Sequence, residues 1–80
     1  MAIPVLYTQT GCVDSRRVRS WLQQRQIPFE ERNVTEDPVA MADLVCHQVF
    51  ATPLLVIDEF VIFGFQPAEM DRVLRSVNDG

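Results

Sequence analysis

The sequence predicts an α/β domain in which strands and helices follow the order β-α-β-α-β-β-α, with helices on both faces of a four-stranded mixed sheet. Three observations lead to this prediction: short β-prone runs alternate with segments of helical periodicity, glycine and proline separate these segments, and two late β-prone runs are only two residues apart. The first three strands are expected to be joined by right-handed crossovers. At 80 residues the chain has room for one domain, which we assign to residues 1–80.

The first half of the chain predicts two strands and a connecting helix. Residues 3–8 form a short apolar run that predicts a buried strand, and a turn at residues 9–12 leads into a helix over residues 13–26. Pro28 ends this helix, because proline disfavours helical geometry in the residue that precedes it. Residues 29–34 then predict a second strand with several exposed charges.

The second helix has a clear start signal. Asp37 is a good N-cap, Pro38 suits the first helical position, and the helix is expected to continue to about Gln48. At roughly 100° per residue, Cys46 falls about 200° from Leu44 and therefore on the solvent side. The buried face is predicted to consist of Met41, Leu44 and Val45.

The remainder of the chain predicts a hairpin and a final helix. Residues 54–57 and 60–63 are short β-prone runs joined by a two-residue Asp-Glu turn. Asp71 and Arg75 lie one helical turn apart, at a spacing suitable for an ion pair. Pro67 opens the last helix, whose apolar face consists of Met70, Val73, Leu74 and Val77.

Composition and charge argue against several classes of function. The net charge of −4 disfavours binding to nucleic acid or an anionic membrane, because such affinity depends on neutralising phosphates. The longest apolar run, residues 51–57, is too short to cross a bilayer, and the N-terminal residues lack the features of a signal peptide. Two cysteines and one histidine make neither a disulfide framework nor a metal-ligand set. From the missing membrane span and signal peptide we expect a cytoplasmic protein, and we also expect it to be a monomer.

Cys12 is the main candidate for reactive chemistry, because it lies at the junction of the first strand and the first helix. The N–H groups and the dipole of a helix N-terminus stabilise an anion, so a thiolate is favoured there. Arg16 and Arg17 lie within one turn and are expected to add to this effect, whereas Asp14 opposes it. The Ser15 hydroxyl, three residues on, is placed to donate a hydrogen bond to the sulfur. The alternative is that Cys12 is simply a small buried residue.

Cys46 and His47 have simpler interpretations. Cys46 is interpreted as an incidental exposed thiol, with a resolving or regulatory cysteine as the alternative. His47 is assigned to surface or helix-end packing, since nothing in the sequence places it near Cys12. Phe65 is placed near a binding surface. The other large aromatic residues of interest are expected in the core: Trp21, Phe50, Phe60 and Phe63.

Seven short segments, taken in their order and spacing, carry a resemblance over most of the chain. They are Val5-Leu-Tyr-Thr8, Gly11-Cys12-x-x-Ser15, Ile27-Pro-Phe-Glu30, Asn33-Val-Thr-Glu-Asp-Pro38, Thr52-Pro53, Val56-Ile-Asp58 and Gly64-Phe65-x-Pro67. From about Val5 to Leu74 the chain resembles the glutaredoxin-like branch of the thioredoxin-fold family. The last segment looks especially like the NrdH-redoxins, which donate electrons to ribonucleotide reductase. The resemblance implies a thioredoxin-like fold.

The resemblance also implies roles for individual residues. Cys12 is the nucleophilic cysteine, and Pro53 is the family's cis-proline, placed against its sulfur. The backbone of Thr52 is expected to pair with the substrate like an added strand. The substrate-binding set that the resemblance implies is Tyr7, Gln9, Thr52, Pro53, Gly64 and Phe65.

Two departures from the family pattern define the predicted activity. Ser15 stands where the Cys-x-x-Cys motif has its second cysteine, so the chemistry has to use one sulfur. Gln9 stands where the family often has lysine, and Gly64-Phe65-Gln66-Pro67 replaces the Gly-Gly-x-Asp of many glutaredoxins. The charged ends of glutathione therefore lose two anchors. The expected co-substrate is glutathione or another low-molecular-weight thiol.

We therefore predict a monothiol thiol–disulfide oxidoreductase that reduces mixed disulfides between proteins and a small thiol. Cys12 and Ser15 are its catalytic residues, it holds no bound cofactor, and its partners are the small thiol and thiol-containing protein clients. One alternative is a non-catalytic binding or adaptor module with a thioredoxin fold. Another is an iron–sulfur carrier, in which Cys12 of two chains and two external thiols hold a [2Fe–2S] cluster.

Overall fold

The computed structural model describes residues 3–49 and 51–79 and has the predicted element order. The strands are β1 (Val5–Thr8), β2 (Glu30–Asn33), β3 (Leu54–Ile57) and β4 (Phe60–Phe63), and the helices are α1 (Val13–Gln24), α2 (Pro38–Cys46) and α3 (Pro67–Asp79). The prediction of an α/β fold with a four-stranded mixed sheet is therefore confirmed. In this part of the chain, every helix falls short of the length and apolar character that crossing a membrane requires. Phe50, which was predicted in the core, lies outside the described residues.

The sheet has the order β2-β1-β3-β4, and its strand directions bring the connecting segments of all four strands to one end. β1 runs parallel to β2 and antiparallel to β3, and β3 runs antiparallel to β4. The expectation of right-handed crossovers between the first three strands is therefore wrong for β3, because that geometry requires parallel strands. Tyr7 of β1 pairs with Leu54 at the start of β3, and Leu54 pairs with Phe63 at the end of β4. The loop after β1, the segment before β3 and the loop after β4 therefore meet.

Two hydrophobic cores lie on opposite faces of the sheet. The larger core joins α1 and α3 to the sheet, and it contains Leu6, Val18, Trp21, Leu22, Leu55, Ile57, Ile62, Met70, Val73 and Leu74. The smaller core joins α2 to the other face, and it contains Tyr7, Val34, Ala40, Leu44 and Leu54. Helices therefore cover both faces, as predicted, and α1 is fixed against the strand that carries the Cys12 turn.

Phe63 departs from the predicted core. Trp21 is buried and Phe60 packs against the larger core, but Phe63 is 48% exposed. Phe63 pairs with Leu54 and Val61 pairs with Val56, so both side chains lie on the face that α2 covers. This face has one helix for four strands, and the edge strand β4 remains uncovered there.

The buried face of α2 also differs from the prediction. Asp37 caps the helix as expected, with its carboxylate accepting from the N–H groups of Val39 and Ala40. Ala40 and Leu44, one turn apart, face the sheet, whereas Met41 and Val45 are each 44% exposed. Apolar residues occur on every side of this short helix, so periodicity could not single out one face. Only contact with the sheet selects the face that is buried.

The C-terminus of α1 forms a Schellman motif with an unusual residue at its centre. The Gln26 N–H donates to the Gln23 carbonyl, and the Ile27 N–H donates to the Leu22 carbonyl, each over 3.0 Å. Gln26 has φ +57°, a left-handed conformation that normally favours glycine. The motif is therefore complete in its hydrogen bonds but carries a side chain at the position where the backbone is strained.

We expect Gln26→Gly to stabilise the protein. A residue with a Cβ lowers stability by about 1–2 kcal/mol in the left-handed conformation, and glycine avoids this strain. Glycine also gives the unfolded chain more conformational freedom, which lowers stability by about 0.4–1 kcal/mol. The net gain is about 0.5–1 kcal/mol, which raises Tm by roughly 2–8 °C in thermal unfolding. The matched control is Gln23→Gly, inside α1, which is expected to lose about 1 kcal/mol. A Gln26→Gly protein that melts below the wild type would contradict the argument.

Candidate active site

Cys12 occupies the N-cap position of α1, directly after the turn that leaves β1. A hydrogen bond of 3.1 Å from the Cys12 N–H to the Gln9 carbonyl closes this turn. Gly11 has φ +82°, which glycine adopts without the strain that a Cβ would bring. The Cys12 side chain forms no cap with the helix. The N–H groups of the first turn therefore remain available to an anion at the sulfur.

Polar residues around the end of β2, which were not among the predicted site residues, brace this turn. The Thr10 N–H donates to the Thr35 hydroxyl over 3.1 Å, and the Asn33 amide donates to the Thr10 hydroxyl over 3.0 Å. The Asn33 side-chain oxygen also accepts from the Thr35 N–H over 2.8 Å, which forms an Asx turn. The Asn-x-Thr spacing at the end of a strand was the available signal. These residues position the loop that carries Cys12.

The segment before β3 faces the thiol. The Thr52–Pro53 peptide bond is cis. The Cys12 Sγ lies 3.7 Å from the Thr52 carbonyl oxygen, to which the protonated thiol donates. The Thr52 hydroxyl donates to the Gln9 side-chain oxygen over 3.3 Å. Cys12, Gln9, Thr52 and Pro53 are therefore brought together, and the sulfur remains partly exposed.

Of the two site residues predicted in the loop after β4, only one contacts the segment that faces the thiol. Gly64, with φ +81°, donates its N–H to the Pro53 carbonyl over 2.9 Å. Phe65 instead packs against the larger core and lines a groove along α1. Gly64 therefore supports the Thr52–Pro53 segment, whereas Phe65 belongs to a neighbouring surface.

Tyr7 does not reach the site. It is 5% exposed in the smaller core, its ring lies 5.7 Å from the Arg32 guanidinium, and its centroid lies 6.2 Å from that of His47. Side chains alternate along a strand, so Tyr7 points to the α2 face, away from the face that carries α1. We therefore assign Tyr7 to the core, which corrects the substrate-binding role implied by the resemblance.

Ser15 is the most buried polar residue at the site. The side chain is completely buried, and its oxygen accepts from the Gln9 N–H over 3.4 Å. A hydroxyl that accepts from a backbone N–H still has its own proton to donate. That proton is available to the Cys12 sulfur, and the Ser15 hydroxyl is one of the groups that lower the pKa of the Cys12 thiol.

The pKa of the Cys12 thiol is lowered from its ordinary value. Burial has the largest single effect and raises the pKa, but several hydrogen bonds to the sulfur together outweigh it. In decreasing order they come from the Ser15 hydroxyl, the Ser15 N–H, the Thr52 side chain and the Asp14 N–H. Each favours the ionised sulfur.

The arginines near Cys12 act differently from the prediction. Arg17 pairs with Asp14 at 3.4 Å, so the charge expected to help the thiolate and the charge expected to oppose it offset each other. Arg16 lines the groove along α1. The lowered pKa of Cys12 therefore comes from hydrogen bonds to the sulfur rather than from arginine charges.

Cys46 and His47 lie at the end of α2. Cys46 is exposed, and both cysteines are free thiols. His47 is the C-cap of α2 and packs near the Tyr7 ring, which is the helix-end packing predicted for it. Over residues 3–49 and 51–79, no group of three or more His, Cys, Asp or Glu side chains is arranged to hold a metal ion.

Comparison with known proteins agrees with this geometry. The glutaredoxin family model matches residues 5–62. The glutaredoxin-like protein NrdH of Lactococcus lactis is 28% identical over 68 residues, which cover 85% of this chain and 94% of the relative. A crystal structure of a thioredoxin-like protein matches with a TM-score of 0.82 at 30% identity, covering 86% of this chain and 96% of the other. The NrdH-redoxin of Escherichia coli shares the fold, with a TM-score of 0.81 at 24% identity over 89% of this chain and 93% of that protein.

The family match includes the Cys12 turn, the Thr52–Pro53 segment and the strands that bring them together. It extends over well more than half of the sequence, and the fold agrees with those of the solved relatives. The chain belongs to the glutaredoxin family of thiol oxidoreductases.

Proposed function

We propose that the protein is a monothiol oxidoreductase that reduces mixed disulfides between client proteins and a low-molecular-weight thiol. The observation that carries the proposal is the Cys12 sulfur itself. It is partly exposed, it has a lowered pKa, and it has a buried hydroxyl, that of Ser15, as its neighbour in place of a second thiol. One activated sulfur without a resolving partner suits a reaction in which a small thiol completes the cycle.

The reaction has two exchange steps. The Cys12 thiolate attacks the small-thiol sulfur of the mixed disulfide, a Cys12–small-thiol disulfide forms, and the client leaves as a thiolate that takes a proton from solvent. A second small-thiol anion then attacks the small-thiol sulfur of this adduct. The products are the small-thiol disulfide and the free Cys12 thiolate. One free small thiol is therefore consumed for each client thiol released, the other half of the disulfide product comes from the mixed disulfide itself, and no bound cofactor is required.

The Thr52–Pro53 segment supports binding of the substrate backbone. The Thr52 carbonyl lies beside the sulfur, and the hydrogen bond from the Gly64 N–H to the Pro53 carbonyl holds this segment in place. An extended client or the peptide part of a small thiol pairs with the Thr52 backbone as an added strand would. Ser15 acts as the residue that stabilises Cys12 as an anion, both before attack and when it leaves in the second step.

Gln9 bears on which small thiol is used. Its side chain is a neutral amide whose oxygen accepts from the Thr52 hydroxyl. This position therefore offers no positive charge to a carboxylate of the small thiol. Arg17 on α1 is already paired with Asp14. A small thiol with few charged groups to anchor is therefore as suitable as glutathione.

The proposal is tested with a peptide whose cysteine carries glutathione, cysteine or coenzyme A as a mixed disulfide. Mass spectrometry after acid quenching is expected to find the small thiol on Cys12 and not on Cys46, and the steady-state rate is expected to rise with the concentration of the matching free thiol. Absence of an adduct on Cys12 and of turnover with all three thiols would overturn the proposal. Selective binding of peptides by such an inactive protein would support the adaptor alternative instead.

A further inference from the structure

We propose that the groove along α1 binds an extended, acidic segment of the client protein that also carries a bulky apolar side chain. The proposal deepens the proposed function and rests on it for the identity of the partner as a client of Cys12. The groove has a volume of about 460 Å³. This is within the range of sites that bind ligands, roughly 300–1,000 Å³.

The shape of the groove favours an elongated occupant. One wall is a continuous stripe of α1 with spacings of three and four residues, formed by Val13, Arg16, Arg17, Ser20, Trp21 and Gln24. At a rise of about 1.5 Å per residue, this stripe is about 16 Å long. About five residues of extended chain cover that length. Phe65, from the loop before α3, forms the other wall.

Two of the residues that line the groove are aromatic. Trp21 and Phe65 both line it, and Val13 at one end is 52% exposed. The Arg25 guanidinium lies 3.9 Å from the centre of the Trp21 ring and covers part of it. Aromatic rings beside a guanidinium suit an apolar side chain flanked by a carboxylate. The rings contact the apolar side chain, and the guanidinium pairs with the carboxylate.

The charge of the groove selects an acidic segment. The chain as a whole carries a net charge of −4, yet the residues that line the groove include two arginines and no carboxylate. In the described part of the chain, Arg16 has no carboxylate partner, and neither does Arg25 beside the groove. The other five arginines form ion pairs: Arg17, Arg19, Arg32, Arg72 and Arg75. An acidic segment would supply the partner that Arg16 lacks.

The position of the groove connects it to the thiol. It begins at Val13, the residue after Cys12, and runs along α1 away from the sulfur. A client whose disulfide lies at Cys12 would therefore place the residues on one side of its cysteine in the groove. The groove would select which cysteines are reduced, in addition to the backbone pairing at Thr52.

Binding is tested without exchange by using the Cys12→Ser protein. A fluorescein-labelled peptide of alternating aspartate and leucine or phenylalanine is titrated, along with a second peptide in which lysine replaces each aspartate. The acidic peptide is expected to bind more tightly, to lose affinity as salt is added, and to change the fluorescence of Trp21, the single tryptophan. Equal affinity for the two peptides would overturn the proposal.

Arg16→Glu in the same background is expected to weaken binding of the acidic peptide about threefold to fivefold and to improve binding of the lysine peptide. Glutamate in the first turns of a helix is tolerated, so this variant should fold. The matched control is Arg75→Glu on α3, which makes the same change in net charge at a side chain that is 77% exposed. If the two variants lost the same affinity for the acidic peptide, overall charge would explain the loss and the proposal would be overturned.

A turnover measurement on the wild-type protein separates this proposal from the proposed function. Acidic and lysine-containing peptides are both supplied as mixed disulfides with the small thiol. Turnover of both at the same kcat/KM would refute the groove while the oxidoreductase function stands. Selective binding of the acidic peptide without turnover of either would refute the client assignment together with the oxidoreductase function.

Discussion

Cys12→Ser is expected to reduce the turnover of mixed disulfides by about 10³-fold or more, the largest effect of any single substitution in this protein. The cysteine sulfur ionises readily at this helix N-terminus because hydrogen bonds lower its pKa. A serine hydroxyl at the same place remains protonated and cannot form the disulfide on which the two-step exchange depends. The comparison is kcat/KM for a peptide mixed disulfide at saturating small thiol.

Cys46→Ser is the matched control, since it removes the other sulfur from an exposed position on α2. It is expected to leave kcat/KM unchanged, and its thermal unfolding should match that of the wild type. If Cys12→Ser retained more than a tenth of the activity, the nucleophile would have to be a group other than Cys12. Loss of activity in Cys46→Ser would restore the resolving role that its position argues against.

The elements of this fold could be predicted because their ends are coded locally. Asp37 and Pro38 start α2 through contacts within one turn, and the two-residue turn between β3 and β4 fixes a hairpin. The same holds for Cys12, because a strand, a turn with Gly11 and a helix together determine where the sulfur lies. Local signals of this kind do not depend on what the rest of the chain does.

Orientation within the elements could not be predicted, because it depends on contacts made far along the chain. The apolar residues of α2 surround the helix, so only packing on the sheet determines that Leu44 is buried and Met41 is not. Tyr7 lies on a strand that is buried on both faces, and alternation alone does not say which face carries α1. The ion-pair partner of a side chain near the thiol could not be predicted either, because Arg17 pairs with Asp14 instead of acting on the sulfur.

Ser15 therefore becomes the residue on which the reactivity of Cys12 depends, and Ser15→Ala is expected to slow alkylation of Cys12 roughly fourfold to twentyfold at pH values below the pKa of the thiol. A hydrogen bond to a charged group contributes about 1.5–3 kcal/mol, so its loss raises the pKa of Cys12 and lowers the thiolate fraction. The effect on rate is smaller than the effect on ionisation. A thiolate of higher pKa is more nucleophilic, with a Brønsted coefficient of about 0.4–0.5.

The pH profile distinguishes this electrostatic role from a structural one. Alkylation is measured with iodoacetamide in a Cys46→Ser background from acid to alkaline pH, with Ser76→Ala on the exposed face of α3 as the matched control. The curves of the Ser15→Ala and parent proteins should cross, because the less stabilised thiolate of the variant reacts faster once both proteins are fully ionised. A variant that is slower by the same factor at every pH would instead indicate a displaced loop.

The same substitution changes how stability depends on pH. The folded-state pKa of Cys12 lies below its ordinary value, so thiolate stabilisation is fully present above the unfolded-state pKa and is lost as the pH falls through the folded-state pKa. In Ser15→Ala the difference between the folded-state and unfolded-state pKa of Cys12 becomes smaller. The free energy of unfolding should therefore rise less between neutral and alkaline pH. Urea unfolding at two pH values on either side of the interval between these pKa values measures the difference. A gain equal to that of the parent would mean that Ser15 holds the Gln9 N–H but does not stabilise the thiolate.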